Sequence, residues 1–136
     1  MTINPYLNFP GTCEEAFNFY AKTLGGKIMA THRFGQSPMA GQVPADWHNK
    51  IMHTSLIANG QVLMGSDGTP DRFQKVQGFS ISLNLDNTAD ADRIFAELAA
   101  GGRTEMPIQE TFWAQRFGMC TDRFGIPWMV NCHKPM

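Results

Sequence analysis

The sequence is short of charge, and what charge it has is dispersed. Asp, Glu, Lys and Arg make up 17% of its 136 residues, the formal net charge is −1, and no two Lys or Arg residues stand side by side. Such a chain lacks the basic footprint that a nucleic acid or an anionic membrane surface requires of a main partner. No apolar run approaches the roughly 20 residues of a membrane span. The opening segment Met1-Thr2-Ile3-Asn4-Pro5 has neither the basic nor the apolar stretch of a secretory signal. Cysteine is scarce as well. Cys13, Cys120 and Cys132 are odd in number and show no CxxC spacing, which points to reduced thiols and a cytoplasmic setting.

What is present is apolar and repeated. Hydrophobic residues form 43% of the chain, enough for a core, and the length suits a single domain over 1–136. Displacing the sequence by 76 residues lays its first part on its second. Leu7-Asn8-Phe9 meets Leu83-Asn84-Leu85, Thr12 meets Thr88, Phe19 meets Phe95, and Gly25-Gly26 meets Gly101-Gly102. Two strands, two helix starts and two helix stops agree without a gap. Module one is therefore placed at 1–70 and module two at 76–136, with 1–67 and 78–133 expected to superpose.

Each block has its own physical logic. Thr12-Cys13-Glu14-Glu15 reads as a capping box at the start of a helix over Cys13–Leu24, with Ala16, Phe17, Phe19, Tyr20 and Leu24 on its apolar face. Gly25 supplies the left-handed residue that stops it. A second helix over Ala89–Ala100, begun by Asn87 or Thr88, carries Ala91, Ile94, Phe95, Leu98 and Ala99. Strands are expected at 27–34, 51–58 and 61–66, the last two joined by an Asn59-Gly60 hairpin. Their counterparts lie at 104–108, 116–121 and 127–132, with Phe124-Gly125 at the turn. The order is βαβββ twice, an α+β fold. The Gly- and Pro-rich segment Arg33–Lys50 interrupts it as a long loop, a lid or a mobile stretch.

These blocks resemble the vicinal oxygen chelate superfamily of glyoxalases, ring-cleaving dioxygenases and antibiotic resistance proteins, and more closely its PhnB-like branch. The residues that carry the resemblance are Pro5-Tyr6-Leu7, Cys13 to Phe17, Leu24-Gly25-Gly26, Met52-His53, Leu63 to Asp67, Glu110 to Trp113, Arg116-Phe117-Gly118 and Asp122 to Met129. The resemblance implies a cup-shaped, mostly antiparallel eight-stranded sheet, a small-molecule ligand and a homodimer. Some members of the branch are labelled ubiquinone-pathway methyltransferases. This sequence has no glycine-rich strand-to-helix nucleotide loop to support that activity.

Metalloenzymes of the superfamily bind a divalent ion through two side chains from each module. The corresponding slots here hold Pro5 (or Tyr6), Met64, Phe79 (or Ser80) and Met129. Proline and phenylalanine carry no donor, and a thioether suits hard or borderline cations poorly. These departures from the superfamily's ligand pattern lead to the expectation that the inherited metal is lost and that no cofactor is held. His32, His48, His53 and His133 show no HxH or HxxxH spacing, and His53 is the strongest titratable candidate.

Cup-lining candidates are Tyr6, His53, Met64, Trp113, Arg116, Trp128 and Met129. Arg116 suits a carboxylate or phosphonate, but it is equally suited to pairing with Glu110 or Asp122. Trp128 and Met129 alternate across one strand, so one faces the cup and the other the helix layer. Asp122 reads as a turn cap and Asp67 as a turn residue. Cys13 stands where a helix dipole lowers a thiol pKa, although a buried filler is the plainer reading. The expected function is small-molecule binding, or an enzyme acting without the inherited metal. The alternatives are a metal-dependent lyase, isomerase or dioxygenase of the glyoxalase type, and a drug-sequestering resistance protein. The charge of −1 gives little of the acidic groove that a cationic drug needs.

Overall fold

A computed structural model describes residues 1–135. The chain divides into two compact units, the first ending at Gln74 and the second beginning at Lys75. The first runs β1 (Tyr6–Phe9), α1 (Cys13–Leu24), β2 (Lys27–Arg33), β3 (Ile51–Ala58) and β4 (Gln61–Asp67). The second runs β5 (Ile81–Leu85), α2 (Thr88–Ala99), β6 (Arg103–Gln109), β7 (Ala114–Thr121) and β8 (Pro127–His133). The βαβββ order is therefore present twice. Each unit holds one four-stranded mixed sheet, ordered β1-β4-β3-β2 and β5-β8-β7-β6. In each, the first strand joins the last in parallel while the remaining pairs are antiparallel.

Strand alternation divides every sheet into two faces. In the first unit Leu7, Phe9, Leu56 and Leu63 are buried on the side of α1. Phe9 meets Phe17 of the helix edge to face at 6.1 Å. Gly65 permits this contact, since a Cβ there would come within 2.6 Å of the Phe17 ring. In the second unit Trp128, Val130, Cys132 and Cys120 occupy the equivalent layer under α2, and Gly118 makes room for Phe95. The open face of each sheet is the one that carries no helix of its own unit.

The turns follow the residues expected to make them. Asn59 and Gly60 both have positive φ, 50° and 76°, as a two-residue hairpin of right-twisted strands demands. Gly25 ends α1 in the left-handed region at φ 67°. The helix start is different. Thr12 makes no side-chain cap bond, so its half of the expected capping box does not form. The Cys13 amide instead donates to Asp67 Oδ1 at 2.9 Å, and the Gly11 amide donates to the same oxygen at 3.0 Å. Asp67 Oδ2 accepts from the Ile51 amide at 2.9 Å. A carboxylate 54 residues away in sequence thus replaces the local cap. Helix α2 is capped locally, Asn87 Oδ1 accepting from the Asp90 amide at 3.1 Å, and begins at Thr88.

Asp67 is only 3% exposed, so removing it leaves three amides of the β1–α1 turn, α1 and β3 without that acceptor. Asp67→Ala is expected to cost about 3 kcal/mol or more, while Thr12→Ala costs under about 0.5 kcal/mol. Urea unfolding midpoints of the two variants check this; equal losses would restore the local cap.

Candidate functional site

Three of the seven sequence candidates gather on the open face of the first sheet. Tyr6 and Met64 are register partners across β1 and β4, and His53 lies on the same face of β3. Tyr6 Oη lies 3.0 Å from His53 Nδ1. His32, directly across from His53 on β2, stacks against it with ring centroids 6.4 Å apart. Asn8 and Ser66, two residues beyond Tyr6 and Met64, continue the face, and Ser66 Oγ donates to Asn8 Oδ1 at 3.4 Å.

At this end of β1 and β4 a cavity of about 700 Å³ opens within the first unit. Its floor includes Asn8 and Ser66. Phe34, Val43 and Trp47 wall one side, from the Arg33–Lys50 segment, and residues 68–74 wall the other with Arg72 and Phe73. That segment is built rather than slack. It folds as three short 3-10 turns at 34–36, 40–42 and 45–47. Phe34 is buried in it, His48 Nε2 lies 2.9 Å from the Ala40 carbonyl, and Arg33 clasps Glu14 of α1. Lys50 Nζ donates to the Gly11 carbonyl at 2.9 Å and approaches the Trp47 ring. The sequence signalled a long loop with Trp47 and His48 inside it. Neither spacing nor composition told that it would wall a cavity.

In the second unit the candidates separate. Trp128 is 1% exposed and donates its ring N–H to Asp122 Oδ2 at 2.8 Å, so it belongs to the helix layer and Met129 to the open face. Arg116 is corrected in the same sense. It lies opposite Cys132 on the α2 side and pairs with Asp92 of that helix at 3.0 Å, not with Glu110 or Asp122. Glu110 pairs with Lys134. Trp113 is 48% exposed, its ring between those of Phe112 and Phe117. Asp122 caps its own turn as expected, Oδ1 accepting from the Phe124 and Ile126 amides at 2.8 and 3.0 Å.

The inherited metal slots carry little ligand chemistry. The Pro5 carbonyl accepts from the Met64 amide at 3.1 Å, and Tyr6 Oη is engaged with His53. Among the described residues no three His, Cys, Asp or Glu side chains cluster as a metal site. The donor set does not fit a divalent ion.

The comparisons agree with this architecture. The family model described as 3-demethylubiquinone-9 3-methyltransferase matches residues 1–131. The chain belongs to this PhnB-like family. Its relatives include Protein YjdN of Escherichia coli K12, 37% identical over 142 residues that cover 98% of this chain and 97% of that protein. The crystal structure of PA1353 from Pseudomonas aeruginosa is 49% identical, with a TM-score of 0.90 and 99% of each chain covered. A PhnB protein from Bacillus cereus is 25% identical, with a TM-score of 0.82 over 97% of this chain and 99% of that one. A possible glyoxalase from Bacillus cereus, 18% identical with a TM-score of 0.63 over 97% and 99% of the two chains, shares the fold alone. The PhnB-like chain thus has the fold of the glyoxalase and bleomycin resistance proteins.

Thiol chemistry plays no part in this site. Cys13, Cys120 and Cys132 are free and buried. Burial first, and then the charges of Asp67 and Glu14, pushes the Cys13 thiol far up, against the helix dipole. Cys120 is pushed from 9.0 up to about 11 by burial and then by Asp122 and Glu105. The folded state therefore holds the Cys120 proton more tightly than the unfolded chain. Its contribution to stability is complete below pH 9.0 and is lost as pH rises toward 11. An aromatic disulfide reagent at neutral pH is expected to modify no cysteine promptly in the folded protein and all three after denaturation. Fast modification of Cys13 in the folded state would overturn its assignment as core.

Proposed function

We propose that this PhnB-like chain binds a small organic molecule against the open face of its first sheet, without the divalent ion of its metalloenzyme relatives. The cavity at the end of β1 and β4 carries this reading. Its volume of about 700 Å³ falls in the range of small-molecule sites, roughly 300–1,000 Å³, and its walls combine aromatic surface with a few polar groups. The residues at the slots that the resemblance gives, Pro5 (or Tyr6), Met64, Phe79 (or Ser80) and Met129, support the metal-free part, since none is a good ligand for a divalent ion. Of the sequence candidates, Tyr6, His53 and Met64 belong to this face. Met129 and Trp113 are retained for the second sheet, whereas Arg116 and Trp128 serve the helix layer.

One observation favours an enzymatic form of the same reading. Tyr6 and His53 form a hydrogen-bonded pair beside the cavity floor, an arrangement able to pass a proton to or from a bound molecule. The methyl transfer in the family's description finds no comparable support, since neither module opens its helix from a glycine-rich nucleotide loop. We propose further that the chain acts in the cytoplasm as a homodimer. Phe112, Trp113 and Phe79 expose 89%, 48% and 46% of their surface, apolar area that a two-fold partner would cover.

A thermal-shift screen of metabolites and drugs in excess EDTA tests the binding reading. A ligand at about a hundred times its Kd stabilises the folded state by about 2.7 kcal/mol. The shift is expected to persist in EDTA and to vanish in Ser66→Trp, which fills the cavity floor. A shift abolished by EDTA, together with one tightly held ion per chain in metal analysis, would overturn the reading in favour of a glyoxalase-type metalloenzyme.

A further inference from the structure

Asparagine is a poor strand former because its short amide competes with the ladder for backbone groups. Yet the repeat places Asn at the same point of both first strands, Asn8 in β1 and Asn84 in β5. Each stands opposite a polar residue of the last strand of its own module: Asn8 opposite Ser66, and Asn84 opposite Asn131. The two partners differ in chemistry but make the same contact. Ser66 Oγ donates to Asn8 Oδ1 at 3.4 Å, and Asn131 Nδ2 donates to Asn84 Oδ1 at 3.2 Å. In both modules the amide oxygen is engaged, which leaves the Nδ2 hydrogens as the available donors. Both asparagines are exposed, so burial does not explain them. Asn8 lies two residues beyond the Tyr6–Met64 pair, and Asn84 two residues beyond the Ser82–Met129 pair. Alternation puts it on the same open face. Asn8 and Ser66 also line the cavity of the first module.

We infer that Asn8, and by the internal repeat Asn84, are ligand-positioning residues, each donating from Nδ2 to a carbonyl or carboxylate oxygen of a molecule held on the open face of its own module. The inference rests on the reading that the first module's open face holds the ligand. An amide N–H is a neutral donor to the kind of oxygen atom that a bound cation would otherwise polarise. Fixing the amide through its oxygen lowers the entropy lost when the donor engages.

Three probes sharing one ring system, naphthoate, acetonaphthone and ethylnaphthalene, test this by titration of isotope-labelled protein, with side-chain amide resonances observed by NMR. The two oxygen-bearing probes are expected to shift the Asn8 side-chain amide. Asn8→Asp, which keeps the shape and loses the donors, is expected to weaken acetonaphthone about fivefold, the worth of one hydrogen bond, and naphthoate further through charge repulsion. Ethylnaphthalene should bind the parent and the variant alike. Asn8→Ser serves as a second variant without the added charge. The inference is overturned if the oxygen-bearing probes bind Asn8→Ser and Asn8→Asp as tightly as the parent with the Asn8 amide unmoved, although binding in the cavity then still stands. If none of the three probes moves the backbone amides of Ser66 and Phe73, the binding reading falls together with it.

Discussion

Three backbone N–H groups from distant parts of the first module converge on one buried carboxylate, that of Asp67. Its oxygens tie the β1–α1 turn, the first residue of α1 and the first residue of β3 to the end of β4. Burying a carboxylate is costly unless hydrogen bonds satisfy it, and here the structure supplies three. Much else in the module follows from this junction. Gly11 takes φ 115° to present its amide there, and Lys50 holds the Gly11 carbonyl on the other side. Cys13 is sealed at the helix start and pushed toward the neutral thiol. The Arg33–Lys50 segment is anchored at both ends, which lets it wall a cavity. The second module has its own buried carboxylate, Asp122, but uses it differently: it closes the β7–β8 turn and receives the Trp128 ring N–H.

The division of each sheet into a helix side and an open side sorts the candidate residues more sharply than their chemistry does. Arg116 and Trp128 are as suited to binding as His53 or Tyr6 by side-chain type. Their strand positions, however, place them with Cys120, Val130 and Cys132 against α2. Arg116 is then spoken for by Asp92, a helix residue far from it in sequence. Tyr6, His53 and Met64 fall on the opposite face, as do Asn8 and Ser66. The proposed binding surface consists of the residues left over after the helix has taken its share of the sheet.

Much of this was legible from one sequence because the information was local or repeated. The apolar period of α1, the Asn59-Gly60 hairpin and the match of Leu7-Asn8-Phe9 with Leu83-Asn84-Leu85 each report on neighbours along the chain or on a second copy. These are enough for two βαβββ modules and for the bounds of α1. The Thr12 half of the capping box failed for the opposite reason. Thr12 and Glu15 have the right spacing, but Asp67 competes for the same helix end from across the fold with a buried charge.

The sequence by itself thus determined the duplicated architecture and the turn positions, since each depends on backbone preference within a short span. Tertiary structure alone decided that Trp128 faces α2 while Met129 does not. It alone brought Tyr6 to His53, and it alone enclosed a cavity between residues 34–47 and 68–74. Those outcomes depend on which strands pair and in what register. Register is set by the summed burial of whole faces, a quantity that no single residue carries.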